Sequence, residues 1–104
     1  MPPVKYIHVD LEPNRILKQV ADGGQEVLAA FFRALAKIHS FSNMAELNQD
    51  QGLNWEKLVN KIDPGTKLPL YTFRITLKWR ALCLLHPGPV IEIVAVTTAH
   101  DGTH

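Results

Sequence analysis

The chain has 104 residues and a formal net charge of +1, with apolar and charged fractions of 46% and 20% that are ordinary for a soluble globular protein. That length fits one domain spanning 1–104, able to bury about two-thirds of its unfolded surface and so to fold without metal or disulfides. The single cysteine, the lack of any run of about 18 apolar residues and the absence of an apolar leader in MPPVKYIHVD exclude a disulfide scaffold and a membrane span, and argue against export.

In chain order, Val4 to Val9 is β-rich, and Asp10 after it reads as a helix N-cap. Leu11 to Ala21 reads as a first helix, with Pro13 tolerated in its first turn, and Asp22-Gly23-Gly24 ends it. Gln25 to His39 carries the strongest helical signal. Its expected apolar stripe is Leu28, Phe31, Phe32, Leu35 and Ile38, and its alanines suit a helix lying close against a sheet. Asn43 and Glu46 have capping-box spacing, which predicts a short helical turn within Ser42 to Gln49. Leu53 to Ile62 fits a strand, a helical turn or an extended loop. Asp63-Pro64-Gly65 is a turn, after which the chain enters the sheet at Leu68 to Leu70.

From Tyr71 the pattern has period two. Tyr71, Phe73, Ile75, Leu77 and Trp79 point one way, and Thr72, Arg74, Thr76, Lys78 and Arg80 the other. Ala81 to Leu85 continues the same strand with apolar residues on both faces, as a covered strand centre does. His86-Pro87-Gly88-Pro89 turns the chain, and Val90 to Val96 returns as a second strand. A three-residue loop would pair His86 with Val90, Lys78 with Thr98, Thr76 with His100 and Arg80 with Val96. The arginine face and the His100 face then coincide, with the helices on the other side.

Side chains able to do chemistry gather in this last third. Arginine holds phosphate oxygens through a planar fork that stays charged, and histidine exchanges protons near an unperturbed pKa of about 6.5. Arg74 and Arg80 with His100, Asp101 and His104 are therefore the candidate set. Lys57, Lys61, Lys67 and Lys78 add a positive bias to a stretch whose only acids are Glu56 and Asp63. Taken alone, such lysines read equally well as solvated edge residues. Phe31, Phe32, Trp55 and Trp79 read as core, Cys83 as a buried packing residue, and His8 and His39 as structural or solvent-facing. Gly23-Gly24 lacks phosphate-loop spacing, no histidine pair has zinc-ligand spacing, and no serine or cysteine lies in a nucleophile motif.

Leu70-Tyr71-Thr72-Phe73-Arg74-Ile75, then Lys78-Trp79-Arg80-Ala81, with the ending Ala99-His100-Asp101-Gly102-Thr103-His104, resembles the RelE/ParE superfamily of toxins from bacterial type II toxin–antitoxin pairs. Trp55-Glu56-Lys57-Leu58 is similar to the Lys-Leu pair that many members carry before the sheet. His104 stands where a tyrosine is common. The resemblance implies an α+β, RelE-like fold: a short N-terminal strand, then two helices packed on one face of a small, mainly antiparallel sheet. It also implies a cytoplasmic toxin that cleaves messenger RNA on the ribosome without metal or other cofactor. Arg74 and Arg80 would bind and stabilise the scissile phosphate, and His100 would act as base or orient the hydroxyl. Asp101 would orient a histidine, and His104 would donate a proton or stack on a base. Lys57, Lys78 and Tyr71 would contact RNA. A cognate antitoxin is the implied partner, wrapping the toxin as a helix in a groove or an added strand. A ParE-like inhibitor of DNA gyrase, or a catalytically weak antitoxin-binding member, is the alternative within the same superfamily.

Overall fold

The structure, a computed structural model, describes residues 7–98. In chain order the elements are β1 (His8–Leu11), α1 (Pro13–Ala21), α2 (Gln25–Ser40), α3 (Met44–Gln49), β2 (Glu56–Ile62), β3 (Pro69–Arg74), β4 (Trp79–His86) and β5 (Val90–Thr98). The five strands form one mixed sheet in the order β1-β5-β4-β3-β2. β1 runs parallel to β5, and the other three pairings are antiparallel. The described residues thus form a small α+β domain with three helices: the two expected to pack on the sheet, and α3, the short helical turn anticipated from the capping box. The Asn43 Oδ1 accepts the Glu46 N–H at 3.0 Å, and the Glu46 carboxylate accepts the Ser42 N–H at 2.7 Å.

Asp10 does not cap α1. It lies in β1 as the partner of Glu92, and Glu12 is the cap, its carboxylate accepting the Arg15 N–H at 2.6 Å. Pro13 explains the shift. It occupies the first helical turn, where a missing N–H costs nothing, and holds the residue before it extended. In α2 the buried stripe is Val27, Ala30, Phe31, Ala34 and Ile38, rotated from the one expected, while Phe32 is 50% exposed. The alanines set this rotation. Their small side chains allow the closest approach to the sheet, so Leu28 and Leu35 pack at the flanks.

The continuous strand expected from Tyr71 to Leu85 is two strands. The chain reverses at residues 75–78, so that Arg74 pairs with Arg80 and Tyr71 with Cys83. Thr76 makes the turn: its hydroxyl accepts the N–H groups of Lys78 at 3.3 Å and Trp79 at 3.2 Å. Leu77, expected to face the same way as Phe73, sits in this reversal and is 81% exposed.

The loop at residues 87–89 pairs His86 with Val90 as anticipated, but the register then changes. Cys83 pairs with Ile93 and Leu82 with Ala95, leaving Val94 as the extra residue of a bulge. Arg80 therefore lies opposite Thr97 rather than Val96, and Trp79 rather than Lys78 lies opposite Thr98. α1 holds the bulge in place. β1 stops at Leu11, opposite Ile93, and beyond that point α1 side chains meet the edge of β5. The Arg15 guanidinium donates to the Val94 carbonyl at 2.6 Å, and the Val96 N–H donates to the Gln19 side-chain oxygen at 2.8 Å. These residues are four apart and so lie one above the other on the helix.

The core lies between the helices and one face of the sheet. Phe73, Ala81, Cys83, Ile91, Ile93 and Val96 pack against Ile16, Val20, Phe31, Ile38 and Leu47. Burial raises the pKa of the Cys83 thiol well above its ordinary value, which suits a packing residue. Thr72, Arg80, Leu82 and Leu84 belong to the opposite face, over which no described helix lies.

Candidate anion-binding site

The helix-free face carries a cleft of about 70 Å³ lined by Glu56, Leu58, Thr72, Arg80, Leu82, Thr97 and Thr98. The ladder explains why these residues meet. Thr72 pairs with both Glu56 and Leu82, and Arg80 pairs with Thr97, so side chains from β2, β3, β4 and β5 fall on one surface. At about 30 Å³ per water, the cleft admits a group about as large as two water molecules.

Two of its lining residues carry enclosed polar atoms without partners. Thr72 is 3% exposed, and its hydroxyl has no hydrogen-bond partner. The Arg80 Nε is likewise enclosed and unpartnered. A buried polar atom left unpaired costs about 1–3 kcal/mol, so both atoms favour a water or a polar ligand group within their reach. The Arg80 Nη1 lies 3.7 Å from a Glu56 carboxylate oxygen, beyond hydrogen-bond range and within reach of an ion pair. Half-exposed Glu56 therefore balances Arg80 only in part.

The remaining candidates are spread around this cleft. Arg74 is the cross-strand neighbour of Arg80 but does not line it. As the last residue of β3 it sits at the sheet rim and lines a separate groove with Arg33 and Lys37 of α2. Tyr71 and Lys57 pair with each other, and Tyr71 pairs with Cys83, so both belong to the opposite face from Arg80. There the Tyr71 ring stacks on Trp55, centroids 4.9 Å apart. Lys78 is exposed in the reversal between β3 and β4. His100, Asp101 and His104 lie outside the described residues. The pairing of Arg80 with Val96, on which their meeting with the arginine face was argued, is replaced by the bulged register.

No family model, curated protein or solved structure matches this chain.

Of the residues lining the cleft only Arg80 belongs to the candidate set, and Thr72 and Glu56 show why. Thr72 shares the polar alternation with Arg80, and only the hairpin places it in the cleft beside that guanidinium. Glu56 sits in the segment that fitted three conformations; once that segment is a strand, its pairing to Thr72 follows. A fixed cation, a hydroxyl and a carboxylate around a small cleft can hold an oxyanion and move a proton beside it. Among the described residues no group of three metal-ligating side chains gathers, and no helix is long and apolar enough to cross a membrane.

Proposed function

We propose that this chain is a RelE-like toxin of a type II toxin–antitoxin pair, acting in the cytoplasm as a ribosome-dependent endoribonuclease on messenger RNA. The observation that carries the reading is the Arg80–Thr72 cleft: two enclosed, unpartnered polar groups beside a carboxylate, on the sheet face that no described helix covers. The sequence resemblance assigns the chemistry, in which a ribose 2′-hydroxyl attacks the adjacent phosphorus. Arg80 and Thr72 bind the phosphate oxygens, where negative charge grows in the transition state.

Glu56 gives the reaction a base on the same surface. Its carboxylate oxygens lie beside the Arg80 guanidinium and can accept the 2′-hydroxyl proton. The 2′-oxygen then bonds to phosphorus, the bond from phosphorus to the 5′-oxygen breaks, and that oxygen takes a proton. His100, which the resemblance gives as base or as orienting the hydroxyl, takes the donor's role here because Glu56 takes the base's, with Asp101 to orient the ring and His104 as a stacking surface or second donor. A cognate antitoxin covers the toxin until release.

The test is expression from a tightly controlled promoter with pulse labelling of protein and DNA synthesis. Protein synthesis stops early in induced cells, primer extension maps cuts within messages, and Arg80→Ala, Glu56→Gln and His100→Ala each abolish both effects. A DNA-damage response with translation intact would instead identify a gyrase inhibitor. Normal growth would leave only an antitoxin-binding role.

A further inference from the structure

We infer that the groove between α2 and the rim of β3 is a second phosphate subsite, in which Arg33 and Arg74 hold the RNA strand whose scissile phosphate lies at Arg80. The inference rests on the ribonuclease reading and extends it to a residue, Arg33, outside the candidate set. The groove has a volume of about 310 Å³ and is lined by Ala30, Arg33, Ala34, Lys37, Gly52, Leu53, Arg74 and Ile75. At about 30 Å³ per water it admits a phosphate with part of its hydration shell.

The arginines of this chain divide cleanly. Arg15 donates to the Val94 carbonyl, and Arg80 faces Glu56. Arg33 and Arg74 have neither an ion pair nor a side-chain hydrogen bond among the described residues, and the Arg74 Nε is enclosed without a partner. Both unengaged arginines line this one groove. Lys37 is held by Asp50 at 2.8 Å, which leaves two uncompensated positive charges.

The groove also continues the first site. Arg74 and Arg80 are paired residues on adjacent strands, about 5 Å apart at Cα, so cleft and groove lie on either side of one rim. A polyanion crossing that rim meets Arg80, Arg74 and Arg33 in turn. An acidic peptide fits less well. Such a partner needs an apolar pocket for an anchoring side chain. Ala30, Ala34, Leu53 and Ile75 are already buried in the core and offer little free area.

The test is binding of fluorescent 2′-O-methyl RNA of about 12 nucleotides to the full chain, by anisotropy across a salt series. This probe has no free 2′-hydroxyl and is not cleaved. Arg33→Gln and Arg74→Gln each weaken binding several-fold and each reduce the slope of log K against log salt by about 0.7, the value for one phosphate contact on a single strand. Lys18→Gln, on α1 and away from both cavities, changes neither. Wild-type binding that depends on Arg80 but not on Arg33 or Arg74 overturns the subsite and leaves the ribonuclease reading standing. Absence of RNA binding at low salt overturns the subsite, and if induced cells also translate normally the ribonuclease reading falls with it. Equal displacement by a poly-glutamate peptide of matched charge, lost in Arg33→Gln, overturns the RNA assignment in favour of an acidic protein partner.

Discussion

Gly23 controls how closely the α1–α2 turn sits against the first residue of β4. A Cβ at this position would stand 2.7 Å from the Val27 Cγ2 and 2.9 Å from the Trp79 Cε2. Both lie inside normal contact, so either the turn or the Trp79 indole must move, and Trp79 immediately precedes Arg80 in β4. Overpacking of this kind costs about 1–3 kcal/mol. Gly23→Ala is therefore expected to lower the urea midpoint with an unchanged m-value, and to weaken binding of the 2′-O-methyl RNA beyond the loss of stability. An unchanged midpoint would show that the turn has room to yield. In the sequence this glycine read as a helix terminator, which it is; its contact with Trp79, 56 positions away, is set by packing alone.

At the scale of elements, α1 fixes the register of the strand that faces Arg80. Arg15 and Gln19 bind the edge of β5 at Val94 and Val96, on either side of the position where the ladder slips. Without these bonds the Val94 carbonyl and Val96 N–H lose their partners, and the unbulged pairing becomes a closer competitor. Gln19→Leu is expected to cost about 1–2 kcal/mol, read as a fall in thermal midpoint, because it leaves a part-buried N–H unpaired. Combined with Arg15→Ala, it should broaden the amide signals of Val94–Thr97 in NMR spectra, and sharp, unshifted signals would rule out this role for α1. The same region shows why the sequence was only partly legible. The loop at Pro87–Pro89 announces itself through its prolines and glycine, and the His86–Val90 pairing followed from its length. The hairpin at residues 75–78 contains neither glycine nor proline. It also preserves the odd–even alternation, so two strands read as one. The bulge was invisible because its stabilising partners come from a helix 77 and 79 residues earlier. The helices themselves were readable within a residue or two, since period and breaking residues are local signals; the cap of α1 and the face of α2 were not, the latter because alanine spacing matters only once a sheet lies against it.

Across the whole molecule, one acidic residue ties the helical layer to the strand that bears Arg74. The Asp50 carboxylate binds the Lys37 ammonium of α2 at 2.8 Å and accepts the Leu53 N–H at 2.8 Å, while the Leu53 carbonyl accepts the Arg74 N–H at 2.6 Å. Burial alone would raise the pKa of Asp50, but the Lys37 ammonium and the N–H groups of Leu53 and Gly52 outweigh it and hold the carboxyl below its ordinary value. The sign follows from linkage. A carboxyl with a depressed folded pKa contributes stability that is complete above its unfolded pKa of about 3.9 and is lost as pH falls through the lower folded value. Asp50→Asn keeps the shape and removes the charge. It should cost about 1 kcal/mol at pH 7, toward the low end for a charged hydrogen bond because Lys37 remains half exposed. The difference from wild type should shrink in melts taken below pH 4, where the wild-type carboxyl itself becomes neutral. Melting curves that stay parallel from pH 7 to pH 2.5 would remove Asp50 as the source. At pH 7 the same variant should also loosen the α2–β3 groove, because Lys37 is no longer held and Leu53 is positioned less firmly behind Arg74. The expected signature is weaker RNA binding than Arg33 and Arg74 alone account for, with the salt slope nearly unchanged, since both phosphate-binding arginines are still present.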